Sequence, residues 1–171
     1  MSTMRIARVV AAKDLRIEWN SRVFVNQVLP FAGVTMVIFA FALDADSVLQ
    51  RVAPGLVWLA TMFSMLVLVQ RAFAVETADG ALDALRVAGV DPRAIYLGKA
   101  AALGVQLLVL EVVLLAAAVV LYGQTIPADG WVLLVTTLIS ATCGLAAVGT
   151  LYGGLAAGFT GRETLLPLLT F

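Results

Sequence analysis

The sequence predicts an all-α polytopic membrane protein: a helical bundle with four full spans plus the start of a fifth. Three observations carry this. The chain is 62% hydrophobic and 13% charged, where soluble domains run about 45–50% and about 25%. Its apolar residues gather into runs of the ~20 residues that cross a bilayer as helix. If the spans alternate in direction, ten of the eleven Lys and Arg fall on one side, the bias that sets orientation. The whole of 1–171 then reads as one transmembrane domain in contact with the lipid bilayer. Net charge is zero, so the placement of charges informs and their sum does not. No nucleic-acid partner is expected.

Along the chain, residues 3–20 come first, as a mixed-charge helix in which Ile6, Val9, Val10 and Ile17 share a rough face, with Leu15 on the far side. Lys13 can snorkel and Trp19 suits the interface, so this helix is expected to lie against the inner leaflet. It is not expected to be a cleaved signal peptide, because the apolar run after it is too long. The first span is 23–43, with a kink expected at Pro30. The second is 52–69, started by Pro54-Gly55. The third and fourth, 94–122 and 131–159, approach 30 residues and are expected to tilt, break or project into water. Trp58 and Trp131 fit an aromatic belt near the outer ends. The run 163–171, ETLLPLLTF, is too short to span, so the natural chain is expected to continue beyond Phe171.

With the N-terminus in the cytoplasm, Arg5, Arg8, Lys13, Arg16 and Arg22 lie inside before the first span. Arg71, Arg86, Arg93 and Lys99 lie inside between spans two and three, and Arg162 lies inside after span four. Arg51 alone is outside, beside short outer loops that carry Asp44, Asp46 and Asp129.

The longest internal connection is the charged segment 75–93. Asp79 can cap a helix over ALDALRVA, Gly89 can stop it, and Asp91-Pro92 can launch the third span. A plain linker between antiparallel helices needs only a few residues. Leu82 and Leu85 make a small apolar ridge, which suits either a solvated interfacial helix or docking into a groove on a soluble partner. In the second case Glu76, Asp79, Asp83, Arg86 and Arg93 form a polar rim that fixes register.

Four stretches carry a resemblance. KDLRIEWNSR (13–22), RVAPGLVWLATMFSMLVLVQRAFAVE (51–76), DGALDAL (79–85) and DPRAIYLGK (91–99) together resemble the CcmB family, the membrane subunit of the ABC transporter of cytochrome c maturation. The resemblance covers most of residues 5–110, and past Gly123 it is mainly hydropathy. It implies a type-2 ABC exporter permease-like fold in the bacterial cytoplasmic (inner) membrane, with ATP and Mg on a separate CcmA-like ATPase subunit. The absence of GxxxxGK[ST] from the chain agrees with this. The resemblance places the ATPase contact at Glu76, Asp79, Gly80, Leu82, Asp83, Leu85 and Arg86. It also implies CcmC-like and CcmD-like subunits and, indirectly, a CcmE-like haem chaperone. Haem is then cargo of the complex, with no cofactor bound by this chain. There is no His, so the usual axial ligand of haem is missing, which favours energy coupling over tight haem ligation.

The remaining candidates are intramembrane. Glu111 sits mid-span in LLVLEVVLL, where a charge costs at least ~2.5 kcal/mol. It either lines a route or senses a partner, or it is a neutral acid hydrogen-bonded between helices. Gly149 and Gly153, and likewise Gly154 and Gly158, form GxxxG pairs suited to close helix approach. Packing within the bundle is the first reading and contact with a second copy of the chain is the alternative. TLYGG around Gly153 also offers a hinge. Cys143 is the single Cys and is expected to pack as a small buried apolar residue. No catalytic or metal site is expected: without His or paired intramembrane carboxylates an enzyme has little equipment. The competing functions are a type-2 permease for another cargo, such as a drug or lipid-linked sugar, and a static membrane scaffold.

Overall fold

The computed structural model describes residues 2–43, 46–78, 84 and 87–163, with the backbone alone at 46, 75–78 and 158–163. Every regular element among them is a helix. They are α1 (Thr3–Ser21), α2 (Leu29–Ala42), α3 (Asp46–Ala78), α4 (Pro92–Tyr122) and α5 (Trp131–Glu163). Four of the helical runs are long and apolar enough to cross a membrane: Phe24–Ala42, Ser47–Ala74, Pro92–Tyr122 and Trp131–Ala157.

Local chemistry sets the boundaries. At the end of α1, Arg22 adopts φ 53°, and its N–H donates to the Glu18 carbonyl at 3.2 Å. Ahead of α2 lies one π-helical turn, Phe24–Val28, in which the Leu29 N–H reaches back five residues to the Phe24 carbonyl. Pro30 has no N–H to give and crowds the carbonyl four residues behind it. The wider turn accommodates both, so the irregularity expected at Pro30 appears as a π-turn just before it. Asp91 caps α4 by accepting from the Arg93 N–H at 3.0 Å, with Pro92 as the first helical residue. Gly123, at φ 60°, ends α4. α5 runs unbroken through Gly153-Gly154, with no hinge.

α4 is the central post. It packs against α1, α2, α3 and α5. Its stripe of Leu103, Leu107, Leu110, Leu114 and Ala118 is buried, at the three- and four-residue spacings that keep one face of a helix. α3 answers with small residues, Ala53, Ala60, Thr61 and Ser64, all at most 1% exposed, which let the backbones approach. Tyr122 pins the far end: its hydroxyl donates to the Met36 carbonyl at 2.8 Å. The opposite faces are also apolar. Ile38 and Phe41 on α2, Val112 and Val120 on α4, and Val132, Leu133 and Val148 on α5 all face outward. So continuous an apolar exterior fits lipid as its solvent. Cys143 is on this outer side. The burial expected of it is therefore corrected: among the described residues, the bundle leaves this small apolar residue on its outer face.

α4 and α5 have 31 and 33 residues, about 46 and 50 Å at ~1.5 Å per residue. Both exceed the ~30 Å hydrocarbon layer.

Candidate functional site

Of the seven residues assigned to ATPase contact, Asp79, Gly80, Leu82, Asp83, Leu85 and Arg86 lie outside the described residues. Glu76 falls in the last turns of α3, and its side chain is likewise outside them. Toward the C-terminal end of the segment, Val87 is 90% exposed. The Ala88 N–H donates to the Ala84 carbonyl at 3.0 Å, and Gly89 turns the chain at φ 69°.

Both arms of this segment, the end of α3 and the start of α4, are held by α1. The ammonium of Lys99, 4% exposed, lies 3.3 Å from Asp14 Oδ2 and 3.3 Å from the Ala72 carbonyl it donates to. It also stands 4.8 Å from the centre of the Phe73 ring, within cation–π range. The other oxygen of Asp14 meets Lys13 at 3.2 Å. One helical turn on, Glu18 Oε2 accepts from Arg71 Nε at 3.3 Å and Oε1 accepts from the Phe24 N–H at 2.9 Å. Thr3 donates to Asp91 Oδ2 at 3.3 Å. So α1 grips α4 through Asp14 and Thr3, α3 through Glu18, and the entry to α2 through Glu18 again.

Burial makes these contacts matter. A charge 4% exposed must be answered inside the protein, and removing one partner of such a pair costs far more than breaking a pair on the surface. Close packing supports the grip. A Cβ on Gly98 would fall 2.6 Å from Val10 Cβ and 2.7 Å from the Ala7 carbonyl oxygen, so α1 crosses α4 where only glycine fits. The packed face of α1 is therefore Ala7, Val10 and Asp14, whereas Val9, expected on the same face as Val10, is 61% exposed.

Gly149 and Gly153 of α5 face α3. A Cβ at Gly149 would lie 3.1 Å from Val69 Cγ2, and one at Gly153 only 2.5 Å from the Phe73 ring. At Gly154 the nearest contact would be 3.8 Å, again to Phe73, and the surroundings of Gly158 lie outside the described side chains. Gly153 thus seats the same Phe73 ring that lies under Lys99.

Glu111 is elsewhere. It is 1% exposed, its Oε2 is 2.6 Å from Thr142 Oγ1 on α5, and its Oε1 has no hydrogen-bond partner among the described residues. It lines a cavity of about 140 Å³ between α3, α4 and α5 that reaches Gln124 and Ile126 in the α4–α5 connection. Trp58, which the sequence suits to an aromatic belt, lines this cavity too.

A family model described as CcmB protein matches residues 4–171. The chain belongs to the CcmB family. Two relatives agree with that assignment. Heme exporter protein B of Rhodobacter capsulatus is 30% identical over 166 residues, which cover 95% of this chain and 74% of that protein. Heme exporter protein B of Haemophilus influenzae is 27% identical over 165 residues, covering 94% and 72%. No solved structure gives a significant match.

In this CcmB-family chain, the sequence points to the charged segment but not to what holds its two ends. Read along the chain, Arg71 and Lys99 mark sidedness and nothing more. The signal for their partners is faint: Asp14 and Glu18 are four apart on α1, hence on one face, and belong to a helix that otherwise reads as lipid-facing.

Proposed function

We propose that this chain is the membrane permease subunit of an ABC transporter for cytochrome c maturation, coupling ATP hydrolysis by a separate CcmA-like subunit to haem export or release of a haem-loaded chaperone. The observation that carries the reading is the CcmB family match over residues 4–171. The names of both relatives support haem as the cargo, and they speak against a drug or a lipid-linked sugar. In this reading the protein lies in the inner membrane in a type-2 exporter arrangement. Its N-terminus and the α1 side of the bundle are cytoplasmic, and CcmC-like and CcmD-like subunits lie beside it. The chain supplies no ATPase site of its own.

Mechanically, the ATPase docks on the 75–93 segment through Leu82 and Leu85, with Glu76, Asp79, Gly80, Asp83 and Arg86 around them. A push there reaches α3 and α4 together. The Asp14–Lys99 and Glu18–Arg71 pairs tie both helices to α1, so the three cytoplasmic ends move as one body and the displacement passes into the spans.

The test is to purify the full-length protein with its cognate ATPase. Leu82→Asp with Leu85→Asp is expected to abolish co-purification while leaving the protein in the membrane; equal recovery of the ATPase overturns the docking. In cells, deletion is expected to remove c-type cytochromes and leave other exports intact. A loss confined to another export would overturn the assigned cargo.

A further inference from the structure

The bundle sorts the charges of α1 by sign. Both of its acids face inward, Asp14 to Lys99 and Glu18 to Arg71, on the side where Ala7 and Val10 are buried. Ala7, Val10, Asp14 and Glu18 are spaced three, four and four apart, so they form one stripe. Two positions ahead of each stand Arg5, Arg8, Ala12 and Arg16. Two positions are ~200° of turn, so this second stripe runs along the opposite side of the helix, and all four of its residues are exposed. Trp19, one turn past Arg16, is 85% exposed. Arg22, at the end of the helix, is exposed as well.

Lys13 is engaged with Asp14, but the guanidiniums of Arg5, Arg8, Arg16 and Arg22 meet no carboxylate among the described residues. Arg5 and Arg8 are a turn apart, and like charges so placed repel, so this face favours an anionic partner. The residues that follow indicate which one. Phe24–Ala42 is long and apolar enough to cross a membrane, which puts Arg22 two residues and Trp19 five residues before a span. At ~1.5 Å per residue both lie within ~8 Å of the hydrocarbon edge, and the headgroup layer is about 5–8 Å deep. Tryptophan favours that layer. Met4 and Val9, beside the arginines, are 67% and 61% exposed. A dissolved phosphate would leave these apolar side chains in water, whereas a lipid surface covers them and answers the charges together.

We propose that the outward face of α1 selects anionic phospholipids. Arg16 and Arg22 pair with the headgroup phosphates, Trp19 sits among them, and Arg5 and Arg8 carry the same charge further along the helix. Contact with a leaflet alone needs no particular lipid; this face prefers those with net negative charge. The proposal rests on a span opening at Phe24 and does not depend on the identity of the transported cargo.

The test uses the full-length protein in nanodiscs of phosphatidylcholine and phosphatidylglycerol, with every tryptophan except Trp19 replaced by Phe, Trp58 and Trp131 among them. Bromine on the acyl chains quenches a nearby indole, and the label is placed on one lipid or the other at fixed composition. Quenching of Trp19 is expected to report phosphatidylglycerol enriched about five-fold over its bulk share, the worth of one arginine near an anionic surface. Sodium chloride should lower that enrichment by screening. Arg16→Gln with Arg22→Gln should bring both labels to equal quenching. Arg51→Gln, near the start of α3 and away from the α1 contact at Arg71, should change nothing. If the double variant fails to insert, Arg16→Gln alone and the salt series on the unaltered arginines still decide. Equal quenching by both labels in the parent protein overturns the proposal and leaves the face to an acidic protein. Enrichment that survives the double substitution, or that ignores salt, also overturns it. So does displacement of the labelled lipid by inorganic phosphate beyond the effect of sodium chloride at equal ionic strength, which would make the ligand a free anion.

Discussion

A lysine ammonium that is 4% exposed needs its charge answered inside the protein, and at Lys99 the answer comes from Asp14, the Ala72 carbonyl and the Phe73 ring. The two partners of the ion pair are not equivalent. Asp14 also meets Lys13, so losing Lys99 leaves the carboxylate paired, whereas losing Asp14 takes a carboxylate away from a buried cation. Asp14→Ala is therefore expected to cost about 3–5 kcal/mol and Lys99→Met clearly less, as read by thermal unfolding in one detergent. Asp14→Leu with Lys99→Met together should recover most of the loss. Glycines give a second residue-scale contrast. Gly98→Ala drives a Cβ into Val10 and the Ala7 carbonyl and should cost about 1–3 kcal/mol. Gly144→Ala meets nothing within 4 Å and should be neutral or gain up to about 1 kcal/mol, by the same measurement. None of this is legible in the sequence. Asp14 and Lys99 are 85 residues apart, and periodicity reports which residues share a face, never which faces meet.

At the scale of elements the sequence says much more, because hydropathy and capping are local. The presence of four spans, the Gly89 turn and the Asp91-Pro92 launch can be read from runs and turn chemistry, since each depends on neighbours within a turn or two; the start expected at Pro54-Gly55 is corrected, because α3 begins at Asp46 and carries Pro54 inside it. The role of α1 cannot be read this way. Its amphipathy is plain, but an apolar stripe faces a leaflet and a helix equally well, and Ala7, central to the packed face, barely registers in a hydropathy pattern. The coupling role given to α1 makes a functional prediction. Glu18→Arg and Arg71→Glu each place like charges at the α1–α3 contact, so each alone should lower the yield of c-type cytochromes at normal protein levels. The double swap restores opposite charges and should restore most of the yield. If both singles retain full yield, α1 does not transmit the push.

For the molecule as a whole, four helical runs suited to spanning, apolar faces turned outward and basic residues gathered at one end define a bundle with one polar working end. In the proposed orientation that end is cytoplasmic. Val87→Cys, at a position 90% exposed beside the coupling segment, should react with a membrane-impermeant maleimide in inverted vesicles and stay unreactive in right-side-out ones. The opposite result would turn the protein over. The control is built in, because the chain's single native thiol faces outward from α5 along a membrane span, where water-soluble reagents do not reach it. Seen as chemistry for the bench, Cys143 is a ready attachment point. A lipid-borne pyrene or spin-label maleimide would tag α5 at Cys143, the single cysteine of residues 1–171. A second probe on α3 could then follow, through each cycle of ATP, whether the seat of Phe73 against Gly153 slides or holds.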